Sequence, residues 1–172
     1  MVKDPKLPLL VRRIVAHGED LPPWRQIKAP WRSAPALVLY LILFLGPLVR
    51  VIDGDTVEVL REGRAERVRL VEIDAPERNQ PYGRQAKAYV LRYVGQEVRV
   101  EEAGRDRYGR VLGEVFLPGG ESLNRRLVRD GMAWWYRRYS TDASLGALEA
   151  EARRWQRGLW RDPAPVPPWE FR

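Results

Sequence analysis

Asp53 and Asp55 bracket Gly54 in the stretch VRVIDGDTVEV (49–59), and Asp74 and Glu77 bracket Ala75-Pro76 in IDAPE (73–77). The chain has no cysteine, and its one histidine, His17, lies in a Pro- and Arg-rich N-terminal stretch. Thiolate chemistry and cysteine-based zinc sites are therefore excluded. Proton transfer in the folded body falls to a carboxylate, a Tyr or Lys, or a metal. Pro76 disfavours helix at Ala75 and leaves the Ala75 carbonyl free to point outward. Carboxylates plus a bare carbonyl make an all-oxygen donor set, which suits Ca²⁺ or Mg²⁺ and disfavours zinc. Two arginines flank the set: Arg69, five residues before Asp74, and Arg110, which closes DRYGR (106–110). A hard cation and two guanidiniums about one point would hold a phosphodiester and stabilise the charge of its transition state. Taken alone, each acidic cluster is equally what an ordinary solvated turn looks like.

The elements that must position these groups are legible around them. Asp and Gly are poor strand residues, so DGD marks either a turn, with Gly54 permitting a sharp bend, or a barrel rim. VEVL (57–60) alternates, REGRAE (61–66) is turn-like, and RVRLVEI (67–73) returns as the second strand of the pair. Alternation places Arg69 and Asp74 on opposite faces, because they differ by an odd number, so a bulge or a twist is expected at that strand end. APERNQPYG (75–83) is a loop. RQAKAYVLRYV (84–94) has Ala86, Tyr89, Val90 and Tyr93 at helical spacing, and Gly95 ends that helix. EVRVEE (97–102) and VLGEVFL (111–117) are strands joined by the charged turn GRDRYGR (104–110). Within 118–133 a turn leads into a helix with Leu123, Leu127 and Val128 inward. The longest helix is expected over 141–160, with Leu145, Leu148, Ala152 and Trp155 on one face, followed by the Pro-rich, non-helical RDPAPVPPWEFR. This order matches an OB-fold, a five-stranded Greek-key β-barrel, with three α-helices.

Three regions follow: an N-terminal extension over 1–45, the barrel domain over 46–160, and a tail over 161–172. Residues 36–45, ALVLYLILFL, are ten apolar residues in a row. A membrane-spanning helix needs about 20. The run reads as a signal or signal-anchor segment, as a buried strand, or as part of an upstream region that is not native N-terminus. The first reading puts the body outside the cytoplasm, secreted or held at the membrane through 36–45. The net charge of +7 and pI near 10.0 suggest a polyanionic partner. The surplus is uneven, +4 over residues 1–45 and +3 over 46–172, and in the second part every cation except Lys87 is an arginine. Arginine suits bidentate phosphate contact. Nothing demands an oligomer, and a monomer is expected.

VIDGDTVEV, VRLVEIDAPE and DRYGR, in this order and spacing, resemble the staphylococcal nuclease-like (thermonuclease) family. SLNRRLVRDGMAWW and EARRWQRGLW are similar to its second and third helices, so the resemblance covers roughly residues 48–160. It implies an OB-fold barrel with three helices and a Ca²⁺-dependent phosphodiesterase acting on DNA and RNA. Asp55 and Asp74 are then the calcium carboxylates, the Ala75 carbonyl is a third ligand, and Asp53 lies outside the ligand set. Glu77 takes the general-base role, while Arg69 and Arg110 grip the scissile phosphate. Arg107 and Tyr108 lie beside the nucleotide's terminal phosphate. The reaction implied cleaves the 5′ P–O bond and leaves 3′-phosphates. The loop from Glu77 to Tyr82 is shorter than in the family's namesake, and WWYRRYS (134–140) departs from its two tyrosines; Tyr139 remains available to stack on a base. A non-catalytic OB module binding nucleic acid or protein is the alternative. The joint presence of Asp55, Asp74, Glu77, Arg69 and Arg110 favours the enzyme.

Overall fold

The computed structural model describes residues 43–172. In chain order the elements are β1 (Leu43–Val51), β2 (Thr56–Arg61), β3 (Arg64–Leu70), β4 (Ile73–Asp74), α1 (Gly83–Leu91), β5 (Glu97–Arg105), β6 (Val111–Phe116), α2 (Leu123–Arg129), β7 (Trp134–Trp135), α3 (Ala143–Arg154) and α4 (Pro168–Phe171). Two short 3₁₀ turns lie at Arg137–Tyr139 and Gly158–Arg161. Five strands close into a barrel in the order β1-β2-β3-β6-β5, with β5 returning to β1. The β3–β6 pair is parallel and the other four are antiparallel. This is the five-stranded barrel with helices that the element order predicts.

Alternation builds it. Val57 and Val59 of β2, Val98 and Val100 of β5, and Val111 and Val115 of β6 point into one core with Leu48, Val68 and Leu70. Each buries its whole side chain, and burial of that kind is worth about 1.5–3 kcal/mol per residue. A one-residue slip of any strand would turn its valines outward, so the register is fixed wherever they occur.

The first strand is longer than the sequence suggests. Leu43, Phe44 and Leu45 already pair with Glu101, Val100 and Arg99 of β5, so the end of the apolar run belongs to the barrel, which takes in at least Leu43–Leu45 ahead of residue 46. The readings of residues 1–42, including the rest of the apolar run, lie outside the described residues. Among the described residues no helix is long and apolar enough to cross a membrane.

The helices begin where side-chain caps allow. The Ser122 hydroxyl accepts the Arg125 N–H to start α2, and an Asp142 carboxylate oxygen accepts the Ser144 N–H to start α3. The expected 141–160 helix stops early, at Arg154, because Gln156 (φ 48°) and Gly158 (φ 54°) turn the chain. That turn leaves Trp155 61% exposed instead of inward, and Glu149 occupies the buried face of α3 instead. Beyond the turn, Leu159 and Trp160 pack with Trp134 and Ala152 in a second small core. The 161–172 segment is not wholly irregular either. Proline is tolerated at the first helical position, and Pro168 opens the single turn of α4.

Candidate active site

β4 pairs with β7, Ile73 with Trp135 and Asp74 with Trp134, so the acidic loop is fastened to the helical part of the molecule. β3 and β4 are not one strand. After Leu70 the chain turns at Val71-Glu72, with Glu72 in the left-handed region (φ 66°), and resumes at Ile73. This turn at the strand end, where a bulge or a twist is expected, cancels the odd spacing and brings Arg69 beside Asp74. The Arg69 guanidinium closes the turn by donating from Nη1 to the carbonyls of Leu70 (2.7 Å) and Ile73 (3.0 Å). Its Nη2 lies 2.9 Å from Asp74 Oδ1 and 3.1 Å from Asp55 Oδ2.

Asp55 arrives from the β1–β2 connection. Its Oδ2 also accepts the Ala75 N–H at 2.6 Å, and its Oδ1 accepts the Thr56 hydroxyl at 3.2 Å. Gly54 makes this approach possible. A Cβ there would lie 2.7 Å from the Ala75 Cβ and 2.8 Å from the Ala86 Cβ, and its φ is not in the left-handed region. The glycine therefore serves close packing rather than the sharp bend expected of it. Asp53 accepts the Asp55 N–H at 3.1 Å. Its carboxyl is pushed up to about 6 by burial first and by the neighbouring charge of Asp55 second. Asp74 is almost wholly buried, and burial raises its carboxyl against the pull of Arg69 and Arg172. Glu77 joins the group through Arg172, whose Nη2 contacts Asp74 Oδ2 and whose Nε lies 3.1 Å from Glu77 Oε1.

A second group sits on the β5–β6 turn. Asp106 Oδ1 accepts the N–H groups of Tyr108 (2.9 Å) and Arg110 (3.0 Å), and its Oδ2 meets Arg110 Nε at 2.7 Å. Burial alone would raise the Asp106 carboxyl, but the bonds from Arg110 and the amides outweigh it and hold it below its ordinary value. Arg107 donates to the Tyr108 hydroxyl at 2.6 Å, and Tyr108 is 69% exposed. A third group is aromatic: Tyr139 meets Tyr136 edge-on at 4.8 Å, and Tyr136 stacks on Trp169 at 5.0 Å. Burial raises the Tyr136 hydroxyl, with the charges of Tyr139 and Asp74 adding to it, so this group borders the carboxylates.

Asp55, Arg69, Asp74, Ala75 and Glu77 are thus brought together. Arg110 immediately precedes β6, the strand beside Arg69, and lies two positions before Leu112, which is in register with Arg69, but its side chain is turned to Asp106.

The sequence profile described as Staphylococcal nuclease homologue matches residues 67–162, more than half the chain. The chain belongs to the staphylococcal nuclease family. An Escherichia coli relative named "Uncharacterized endonuclease" is 51% identical over 128 residues, covering 74% of this chain and 84% of its own. A Shigella flexneri relative named "Micrococcal nuclease" is 45% identical over 140 residues, covering 75% and 80%. A plant relative, "Staphylococcal-like nuclease CAN1" of Arabidopsis thaliana, is 37% identical over 124 residues, covering 72% of this chain and 38% of its own.

The donor set of this staphylococcal nuclease homologue is all oxygen, with two buried carboxylates against one guanidinium nitrogen. Burial first, and then the charge of Asp55 on Asp53 and of Glu77 on Asp74, raise the carboxyls of Asp53 and Asp74, which is the electrostatic situation a divalent cation relieves. Arg172 acts as a stand-in cation on Asp74 and Glu77. The residues therefore fit Ca²⁺ in chemistry. In geometry the positive charge is carried by Arg69 and Arg172, and among the described residues no three acidic side chains gather as a metal cluster. Sequence reasoning missed Arg172 and Trp169. Nothing in PVPPWEFR signals that it returns to residues nearly a hundred positions earlier.

Proposed function

We propose that this chain is a Ca²⁺-dependent phosphodiesterase that hydrolyses DNA and RNA to 3′-phosphate products. The observation that carries the reading is one guanidinium, Arg69, spanning two buried carboxylates, Asp55 and Asp74, with Glu77 tied to the same group. Family membership and the nuclease names of its relatives support it.

In this reading Glu77 takes a proton from the attacking water, and its side chain, 40% exposed, is open to one. The water oxygen bonds to phosphorus as the bond from phosphorus to the 5′ oxygen breaks, and the departing 5′ oxygen takes a proton from solvent, leaving a 3′-phosphate and a 5′-hydroxyl. Arg69 and Arg110 neutralise the charge that develops on the non-bridging oxygens. For this, Arg110 leaves Asp106, whose carboxylate is its resting partner. Asp55, Asp74 and the Ala75 carbonyl would hold the Ca²⁺, which when bound would supply Lewis-acid stabilisation of the phosphate. Arg107 and Tyr108 take the terminal phosphate, and Tyr139 offers a ring to a base.

The test is cleavage of single- and double-stranded DNA and RNA in Ca²⁺, Mg²⁺ or chelator, with end-group analysis of the products. Cleavage in Ca²⁺ that stops with chelator and yields 3′-phosphates is expected. Binding without cleavage in any metal would reduce the chain to a non-catalytic module.

A further inference from the structure

The 161–172 segment is held across the domain at three points that converge on the acidic site. Gln80, buried, accepts the Glu77 N–H at its Oε1 (3.0 Å) and donates from Nε2 to the Val166 carbonyl (2.6 Å), so one side chain joins the loop of Glu77 to the segment. Trp169 lies parallel on Tyr136 (5.0 Å, 4°) and edge-on to Trp134 (5.8 Å, 71°), the residue in register with Asp74. Arg172 donates from Nε to the Pro168 carbonyl (3.3 Å), lies 3.1 Å from Glu77 Oε1, and contacts Asp74 Oδ2. Between these points the segment closes over a cleft of about 190 Å³, lined by Pro76, Tyr82, Trp134, Leu159, Val166 and Phe171.

Both oxygens of Asp74 are consequently taken, Oδ1 by Arg69 and Oδ2 by Arg172. Arg69 comes from the barrel strand beside the site, but Arg172 comes from a strap with no strand pairing to the site, held there by side-chain contacts and by one hydrogen bond from Gln80 to the Val166 carbonyl. Arg172 is half exposed, Trp169 is more than a third exposed, and the buried clusters of the barrel and of Trp134 include no residue of 161–172, so lifting the strap uncovers Pro168 but leaves those clusters intact. A guanidinium and a divalent cation compete for the same carboxylate oxygen.

We propose that the 161–172 segment is an autoinhibitory strap in which Arg172 occupies Asp74 and Glu77 in competition with the divalent cation. The proposal rests on the calcium-dependent reading above. It adds that the cation binds only the molecules whose strap is lifted, so its apparent affinity falls by the lifted fraction.

The experiment is a calorimetric titration of the full chain with CaCl₂ in the absence of substrate, comparing wild type, Arg172→Ala and Trp169→Ala. Arg172→Ala should bind Ca²⁺ at least about fivefold more tightly, the lower end of ordinary coupling between two sites. Trp169→Ala, which loosens the strap without touching a carboxylate, should shift affinity in the same direction. Measurable but equal affinities in all three chains would overturn the strap and leave the calcium reading standing. Weaker binding by Arg172→Ala would also overturn it, making Arg172 a support of the site. No binding by any of the three would remove both the calcium reading and the strap.

Discussion

At Glu77 a partly exposed carboxylate rests against a single guanidinium nitrogen of Arg172, 3.1 Å away. A general base needs this kind of access, whereas Asp74, almost wholly buried and held on both oxygens, cannot receive water easily. Glu77→Gln should therefore lower single-turnover cleavage by more than about 10², the range of general-base loss, with little change in KM. A variant that cleaves normally would exclude Glu77 as the base and leave Asp55 and Asp74 untouched. Arg110→Ala should cost a few kcal/mol of transition-state stabilisation, about 10²–10³ in kcat, even though its side chain now faces Asp106. An unchanged rate would keep Arg110 out of the chemistry. Asp106 itself offers a test in pH. Its carboxyl is depressed in the folded chain, so the folded state holds the charged form more strongly than the unfolded one. That stability is present above the unfolded value near 3.9 and is lost as pH falls through the lower folded value. Asp106→Asn should lower the urea midpoint at pH 7 by the equivalent of about 0.5–1 kcal/mol and lose less than wild type on acidification below pH 4.

The connection between β1 and β2 and the turn between β3 and β4 are the elements that make the site. Gly54 packs its α-carbon against Ala75 and Ala86, so Gly54→Ala adds a methyl where two others lie under 3 Å away. It should destabilise the fold by about 1–3 kcal/mol in urea denaturation and shift Asp55 out of line with Asp74. The barrel around these turns was readable because valine alternation leaves one burial pattern, and both acidic clusters were readable because carboxylates and glycine are foreign to strands. The break after Leu70 left only a faint mark, the adjacent apolar pair Leu70-Val71 that shifts the alternation by one residue, and that mark does not by itself say how the chain turns. The turn is imposed by contacts distant in sequence: the Val71 N–H donates to the Gly113 carbonyl, and Tyr136 N–H to that of Glu72. Similarly, EARRWQRGLW keeps a helical pattern past Arg154, yet the Leu159 N–H reaches back to the Gly131 carbonyl and the helix ends. The strap was hidden for the same reason. Its place is set by Gln80, Tyr136 and Asp74, none of which is near it in the chain.

At the scale of the whole molecule, charge is the property that meets a nucleic acid first. Residues 43–172 carry only +3 of the chain's +7, and many of their arginines are already paired with carboxylates, as Arg69, Arg110, Arg125 and Arg126 are. Attraction to phosphate is then a matter of a few particular guanidiniums rather than of net charge. Arg107 is the clearest of them, because its guanidinium lies against the ring and hydroxyl of exposed Tyr108 on the β5–β6 turn. Each phosphate neutralised releases counterions, so the slope of log affinity against log salt is about −0.9 per contact on duplex DNA and about −0.7 on single strands. Arg107→Ala should therefore weaken DNA binding, measured by fluorescence anisotropy in chelator, and flatten the salt slope by about one contact, equally for unrelated sequences. A slope identical to wild type would mean that Arg107 touches no phosphate and that the β5–β6 turn stands outside the substrate path.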